Sequence, residues 1–354
     1  MRPLTGYFFE DYRVGQTFVH ATPRTITAGD VALYIALTGA RHAPHCAVTA
    51  AKALGHPSAP IDDLLVFHIA FGKTVPDISW NAVANLGYAE TRFLVAVYAG
   101  DTLRCESEVI GLKQNSNGKT GVVYVRSLAF NQHNTMVLTW VRWVMVLKKS
   151  TDVTAVPDTV LPMLHKSVAT ESIAVPTFLQ PDGLTSAVTG STRFWDDYRI
   201  NEVINHPAGM TLDESDHTLA TKLYQNTARV HFDLHHMKGS RFGRRLVYGG
   251  HIISVCRALS YDGLENVISI AAINGGSHTN PTFAGDTLYA KSVIVEKIPL
   301  RPDLGALRVR LLGIKDTAPE EIDATNPKLS ETVVLDLDYT VLVPRIINTS
   351  LEHS

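Results

Sequence analysis

The chain repeats itself, and no other property constrains its fold as much. FFEDYRVG at 8–15 is matched by FWDDYRIN at 194–201, so that Phe9, Asp11, Tyr12 and Arg13 meet Trp195, Asp197, Tyr198 and Arg199 at an offset of 186. The same offset carries Asp30 to Asp216, Leu37 to Leu223 and His45 to His231. AGDTL at 99–103 recurs at 284–288, and VLTWVRWVMV (137–146) aligns with VLDLDYTVLV (334–343). A repeat of this length means one structural unit used twice. The halves are read as 1–150 and 191–354. Between them, 151–190 carries several prolines and little periodicity, as suits a linker wrapping from one half to the other.

Each half has the same coarse order. Thr27 with Asp30, and Asp213 with Asp216, place an N-cap residue three positions before an acid. Val31, Tyr34 and Leu37, and later Leu219 and Leu223, follow at helical spacing. A second helix is predicted near 64–73 and near 250–260. β-rich runs come next, at 84–98, 101–113, 120–131 and 136–147, with counterparts at 268–279, 286–297, 306–315 and 332–343. AGDTL reads as a turn between two of them. A mostly buried helix followed by antiparallel strands, twice over, predicts an α+β double hot-dog: two tandem halves, each a sheet wrapped around a central helix.

Composition removes several function classes. The chain has 354 residues, 32 Lys plus Arg against 34 Asp plus Glu, a net charge of −2, 45% apolar and 19% charged residues. That suits a packed core, and it fits neither a disordered chain nor a basic nucleic-acid-binding surface. No run of 18 apolar residues predicts a membrane span, and MRPLTGYFFEDYR does not read as a secretory leader. Cys46, Cys105 and Cys256 are odd in number and form no C-x-x-C pair, so buried, inert thiols in a reducing cytoplasm are expected.

Two segments of the second half carry the chemistry. One is Tyr224-Gln225-Asn226-Thr227-Ala228-Arg229-Val230-His231; the other is Tyr248-Gly249-Gly250-His251. Their order and spacing resemble the MaoC-like, R-specific enoyl-CoA hydratases, which carry D-x-N-P-[LIV]-H at the end of the first helix and His-Gly at the start of the next. Asn226 stands where that family has Asp. Longer strings are similar to one subgroup: YQNTARVHFDLH, SRFGRRLVYGGHIIS, SIAAINGGSHTNP, APIDDLLVFHIAFGKTVPDIS and NGKTGVVYV. The resemblance implies a hydro-lyase that reversibly hydrates a branched C5 dicarboxylic enoyl-CoA, 2-methylfumaryl-CoA, to β-methylmalyl-CoA. It implies no cofactor beyond the CoA of the substrate. Composition leads us to expect no nucleic-acid or membrane partner, the motifs no metal, and the edge-to-edge pairing usual for hot-dog sheets a homo-oligomer.

Adding water to an enoyl thioester needs a base for the water, an acid for the α-carbon and donors for the enolate oxygen. His231 suits the proton transfers, and the N–H groups of Gly249 or Gly250, at a helix N-terminus, suit the enolate. Asn226 cannot exchange a proton, so it can only orient the water. A second proton-transfer group then comes from Asp233, His251, Asp62 or Asp63, or His231 handles both protons through one water. Tyr248, Asp233 and His251 are candidates to touch substrate, and Arg229, Arg241, Arg244 and Arg245 to bind its carboxylate or the CoA phosphates. His278 and Asn280 are candidates to line the pocket, with structural use equally open; Trp140 and Trp143 read as packing. The run HFDLHH has ligand types that suit zinc but no second constellation. In the first half Ala40 replaces Asn226, and Asp62, Asp63 and Leu64 replace Tyr248, Gly249 and Gly250. The second half is therefore expected to do the chemistry and the first to shape an acyl-CoA tunnel. A hot-dog thioesterase, another enoyl-CoA hydratase and a non-catalytic acyl-CoA binder are the alternatives.

Overall fold

The computed structural model describes residues 3–150, 157–326 and 330–346. The first half opens with two short strands, β1 (Thr17–Val19) and β2 (Arg24–Thr25), followed by helices α1 (Ala28–Thr38), α2 (Ala43–Cys46), α3 (Val48–Ala53) and α4 (Asp63–Ile78). Four long strands complete it: β3 (Ala82–Phe93), β4 (Thr102–Gln114), β5 (Thr120–Phe130) and β6 (Met136–Leu147). After the linker helix α5 (Ser186–Thr189), the second half runs β7 (Val203–Thr211), α6 (Glu214–Leu223), α7 (Arg229–Phe232), α8 (Leu234–Met237) and α9 (Gly249–Leu259). It ends with β8 (Ser269–His278), β9 (Thr287–Arg301), β10 (Leu304–Lys315) and β11 (Val333–Pro344). The strand β7 and the short helices α2, α3, α7 and α8 carry too few residues of clear period to be read from sequence.

Local chemistry explains the helix starts. Thr27 Oγ1 accepts the Asp30 N–H and the Asp30 carboxylate accepts the Thr27 N–H, closing a capping box, and Gly39 ends α1 at φ 69°. The matching acids of the second half do not close one: Asp213 is the N-cap residue of α6 but makes no side-chain bond there. Negative charge near the N-terminus remains favourable. Helix α4 is apolar on nearly every side and buried from Leu64 to Val75, and α9 is buried from Gly250 to Leu259. Such helices are stable only inside a core.

Among the described residues the strands form one antiparallel sheet in the order β1-β4-β5-β6-β3-β8-β11-β10-β9-β7, with β2 beside β4. The seam between the halves is β3 against β8, where Tyr88 pairs with Gly276 and Arg92 with Ala272. The main apolar cluster, from Ile26 through Phe67 and Ile253 to Val343, spans both halves, with smaller clusters beside it. The repeat persists in paired hydrogen bonds. Tyr12 Oη donates to the Ile78 carbonyl at 3.0 Å, as Tyr198 Oη does to Gly263 at 2.9 Å. His20 Nε2 meets Ser107 Oγ at 2.7 Å, as His206 Nε2 meets Ser292 Oγ at 2.9 Å.

The described part of the linker bonds to both halves. Val160 pairs with Leu112, the Val168 N–H reaches Asn274 Oδ1 at 2.9 Å, and the Gln180 N–H reaches the Leu54 carbonyl at 3.0 Å. Residues 151–156 lie outside the described residues. Cys105 and Cys256 are buried thiols; Cys46 is exposed, against the expectation that all three are buried. No described helix is long and apolar enough to cross a membrane.

Candidate active site

The turn after α6 creates the site. Gln225 takes φ 53°, a left-handed conformation that reverses the chain, and its side-chain oxygen accepts from Lys73 Nζ at 2.6 Å. Helix α4 presses against this turn: a Cβ on Gly72 would lie 1.9 Å from the Tyr224 carbonyl oxygen, so only glycine fits. Asn226 is then buried, its Oδ1 accepts the Ala228 N–H at 3.1 Å, and its amide NH2 lies by the Tyr248 phenol at the wall of the adjoining cavity. One short turn later His231 is half-buried. Its Nδ1 lies 2.9 Å from the Leu246 carbonyl oxygen, which can only accept, so Nδ1 carries the proton and Nε2 offers a lone pair. Burial pushes the His231 imidazole down to about 4, so it is a neutral base at neutral pH.

The chain returns through Leu246 and Val247 to Tyr248, whose ring centroid stands 5.5 Å from that of His231. Tyr248 is the N-cap residue of α9. The His251 and Ile252 N–H groups turn back to its carbonyl at 2.9 and 3.3 Å, while those of Gly249 and Gly250 have no acceptor among the described residues. Free N–H groups at a helix N-terminus are donors for a developing negative charge. A Cβ on Gly249 would lie 2.3 Å from Nε2 of His278, so glycine is required for the helix start to approach that ring.

These groups face a cavity of about 580 Å³ between the halves. Phe71, Val75, Tyr88, Arg142 and Val144 of the first half line it, with Asn226, His231, Tyr248, Gly249, Ile252, His278 and Asn280 of the second. His278 Nε2 meets the Tyr88 hydroxyl at 3.2 Å, and burial pushes this imidazole too down to about 4. No Asp or Glu is among the cavity-lining residues. No group of three His, Cys, Asp or Glu among the described residues could hold a metal.

The expected residues divide. Asn226, His231, Tyr248, Gly249, His278 and Asn280 meet at the cavity, and Arg241 reaches it as an exposed side chain. Gly250 packs behind, against Tyr248 and His68. The four candidate second proton-transfer groups do not reach the cavity. Asp233 caps α8, accepting the His236 N–H at 2.9 Å; His251 is sealed in the core; Asp62 caps α4 through the Leu64 N–H; Asp63 accepts the Ile270 N–H at 2.7 Å. Arg229 lies over Trp80, Arg244 over Phe283, and Arg245 pairs with Glu214, all away from the cavity wall. Tyr88 and Arg142 were not among the expected residues.

The first half keeps the histidine frame and fills the space before it. His45 Nδ1 donates to the Pro60 carbonyl at 3.2 Å, the counterpart of His231 and Leu246. The Asp63 carboxylate, at the position of Gly249, stands 3.8 Å from His45 Nε2.

Comparison with known proteins gives the family and the fold. The model of the mesaconyl-CoA hydratase family matches residues 4–310. The chain is 56% identical to the beta-methylmalyl-CoA dehydratase of Chloroflexus aurantiacus over 96% of its length and 97% of that protein's. It is 51% identical to the mesaconyl-CoA hydratase of Cereibacter sphaeroides over 98% of its length and all of that protein's. The crystal structure of a MaoC domain protein dehydratase of Chloroflexus aurantiacus superposes with a TM-score of 0.93 at 55% identity, covering 98% of this chain and 99% of that one. A Mycobacterium tuberculosis protein with a double hot-dog fold, 24% identical, superposes at 0.75 over 97% of this chain and all of that one, which supports the fold alone. With a family model over most of its length and relatives above half identity, this chain belongs to the mesaconyl-CoA hydratase family.

Proposed function

We propose that the cavity between the halves reversibly hydrates 2-methylfumaryl-CoA (mesaconyl-CoA) to β-methylmalyl-CoA, with His231 as the proton carrier. The chain is a hydro-lyase acting on a CoA thioester, in keeping with its family and relatives. The observation that carries the residue assignment is the His231 ring, its Nδ1 tied to Leu246 and its Nε2 lone pair free beside the N-terminus of α9.

The chemistry follows from that arrangement. The Asn226 NH2 donates to the oxygen of a water and turns one of its O–H bonds toward His231 Nε2. As the water oxygen bonds to the β-carbon, His231 takes the proton, and the thioester carbonyl becomes an enolate. The Gly249 N–H donates to the enolate oxygen, helped by the helix dipole. His231 then returns its proton to the α-carbon, so the hydroxyl and the hydrogen add to one face of the double bond. One group serves both steps because no carboxylate lines the cavity and the other imidazole there, His278, is held against the Tyr88 hydroxyl with its Nδ1 buried. A thioesterase built on a carboxylate base lacks its base for the same reason.

The second half is the catalytic one. In the first, Ala40 replaces Asn226 and the Asp63 carboxylate occupies the space in front of His45. The first half contributes wall. CoA enters as part of the substrate, with no further cofactor. We also infer a cytoplasmic location from the unpaired cysteines, and a homo-oligomer from the outer strands β1 and β7.

Incubation with mesaconyl-CoA, following enoyl absorbance and free thiol together, tests the reaction. Absorbance is lost without thiol release if water adds to the double bond. Thiol release marks hydrolysis and contradicts the proposal, as does the absence of both signals.

A further inference from the structure

The geometry points to Arg142, on the first half's β6, as the group that binds the free carboxylate of the substrate and so selects a dicarboxylic over a monocarboxylic enoyl-CoA. Four observations carry this. Arg142 is 1% exposed, yet it lines the cavity that holds His231. Among the described residues it has no carboxylate partner, only hydroxyls and phenols around it, and no Asp or Glu lines the cavity. Its hydrogen bonds are incomplete. Nη2 reaches Thr74 Oγ1 at 2.8 Å, the contacts to Ser79 Oγ are long at 3.4 Å, and Nε has no partner. The charge is held over the Phe71 ring at 4.1 Å and faced by the phenols of Tyr12, Tyr88 and Tyr248, which burial keeps neutral.

A buried charge without a counter-charge is destabilising to the free protein, and a planar fork with unmade donors fits the two oxygens of a carboxylate. The inference rests on the hydration reading, and it deepens it. In 2-methylfumaryl-CoA the free carboxylate is bonded directly to the carbon that receives water, so its anchor must lie in the same cavity as the base. Arg241, the other arginine there, is exposed, as suits contact with a solvent-facing part of the thioester.

The test compares wild type with Arg142→Met, Arg142→Lys and Arg241→Met on two substrates. One is 2-methylfumaryl-CoA; the other is (E)-2-methylbut-2-enoyl-CoA, in which a methyl replaces the carboxylate. Arg142→Met is expected to lower kcat/KM on the dicarboxylic substrate by about 10²-fold more than on the methyl analogue, and Arg142→Lys to restore part of that difference. Arg241→Met is expected to affect both substrates alike. Binding of methylsuccinyl-CoA against 2-methylbutyryl-CoA, by calorimetry, gives the same comparison without any double bond to hydrate. Failure of the hydration reading therefore shows as absent turnover with Arg142-dependent dicarboxylate binding intact. Equal losses on both substrates from Arg142→Met, or an unchanged preference for the dicarboxylic ligand in both assays, would overturn the assignment.

Discussion

Replacing Gly249 with alanine separates a site built on backbone approach from one that merely contains a turn. The new Cβ would stand 2.3 Å from Nε2, 2.5 Å from Cε1 and 2.7 Å from Cδ2 of His278, where ordinary contacts begin at 3.4 Å. The ring must therefore retreat by about 1 Å, at an overpacking cost of roughly 1–3 kcal/mol. Retreat also breaks the contact between His278 Nε2 and the Tyr88 hydroxyl, a loss of about 1 kcal/mol. Alanine recovers about 0.5–1 kcal/mol of helix propensity. The expected net destabilisation is about 1–3 kcal/mol, small enough for the protein to remain folded. The effect on turnover is larger, because relief of the clash also shifts the Gly249 N–H that meets the enolate oxygen, and a displacement of about 1 Å at the reacting centre costs on the order of 10²-fold. Gly100→Ala is the control: with φ 105° and nothing within 4 Å of its Cβ, it strains the backbone of an exposed turn of the first half that contributes nothing to the cavity wall. Urea midpoints and kcat on mesaconyl-CoA should show both variants destabilised and only Gly249→Ala slowed. Full kcat in folded Gly249→Ala would refute the reasoning.

Three further outcomes follow. Burial holds His206, His217, His231, His251 and His278 near 4 in the folded state, whereas an unfolded histidine titrates near about 6.5. The unfolded chain thus binds more protons between these values, so stability is complete above pH 6.5 and falls toward pH 4, each group contributing up to about 1.4 kcal/mol per pH unit; urea midpoints at pH 7, 6 and 5 check this. Asn226→Leu should lower kcat by roughly 10–100-fold through loss of water orientation, while Asn226→Asp, setting a carboxylate beside His231, should move the acid limb of the pH–rate profile upward. Asp63→Ala removes the acceptor of the Ile270 N–H and should cost roughly 1.5–3 kcal/mol in urea unfolding with kcat unchanged.

The sequence disclosed the duplication, the two central helices, most long strands and the second-half segment that holds His231, because each rests on local period or on spacing that the repeat makes visible. The arginine assignments fared differently. Arg229, Arg244 and Arg245 are close to His231 along the chain but point to Trp80, Phe283 and Glu214. Much of the cavity wall, from Phe71 to Met145, comes from the other repeat, and proximity in sequence says nothing about that wall. One signal for Arg142 was available. With the side-chain period of two, it shares a face of β6 with Leu138, Trp140, Val144 and Val146, all buried. An arginine on the inward face of an apolar strand requires a reason. Asp62 and Asp63 illustrate the converse: one caps α4, the other accepts a strand N–H, and neither faces the cavity.

The central claim is that one imidazole, from the second repeat, moves the protons. Steady-state hydration of mesaconyl-CoA by folded His231→Gln and His45→Gln tests it most directly. The account predicts a kcat loss of about 10²–10⁴ for His231→Gln, with His45→Gln at the wild-type rate. Equal losses in the two variants, or a loss confined to His45→Gln, would contradict it.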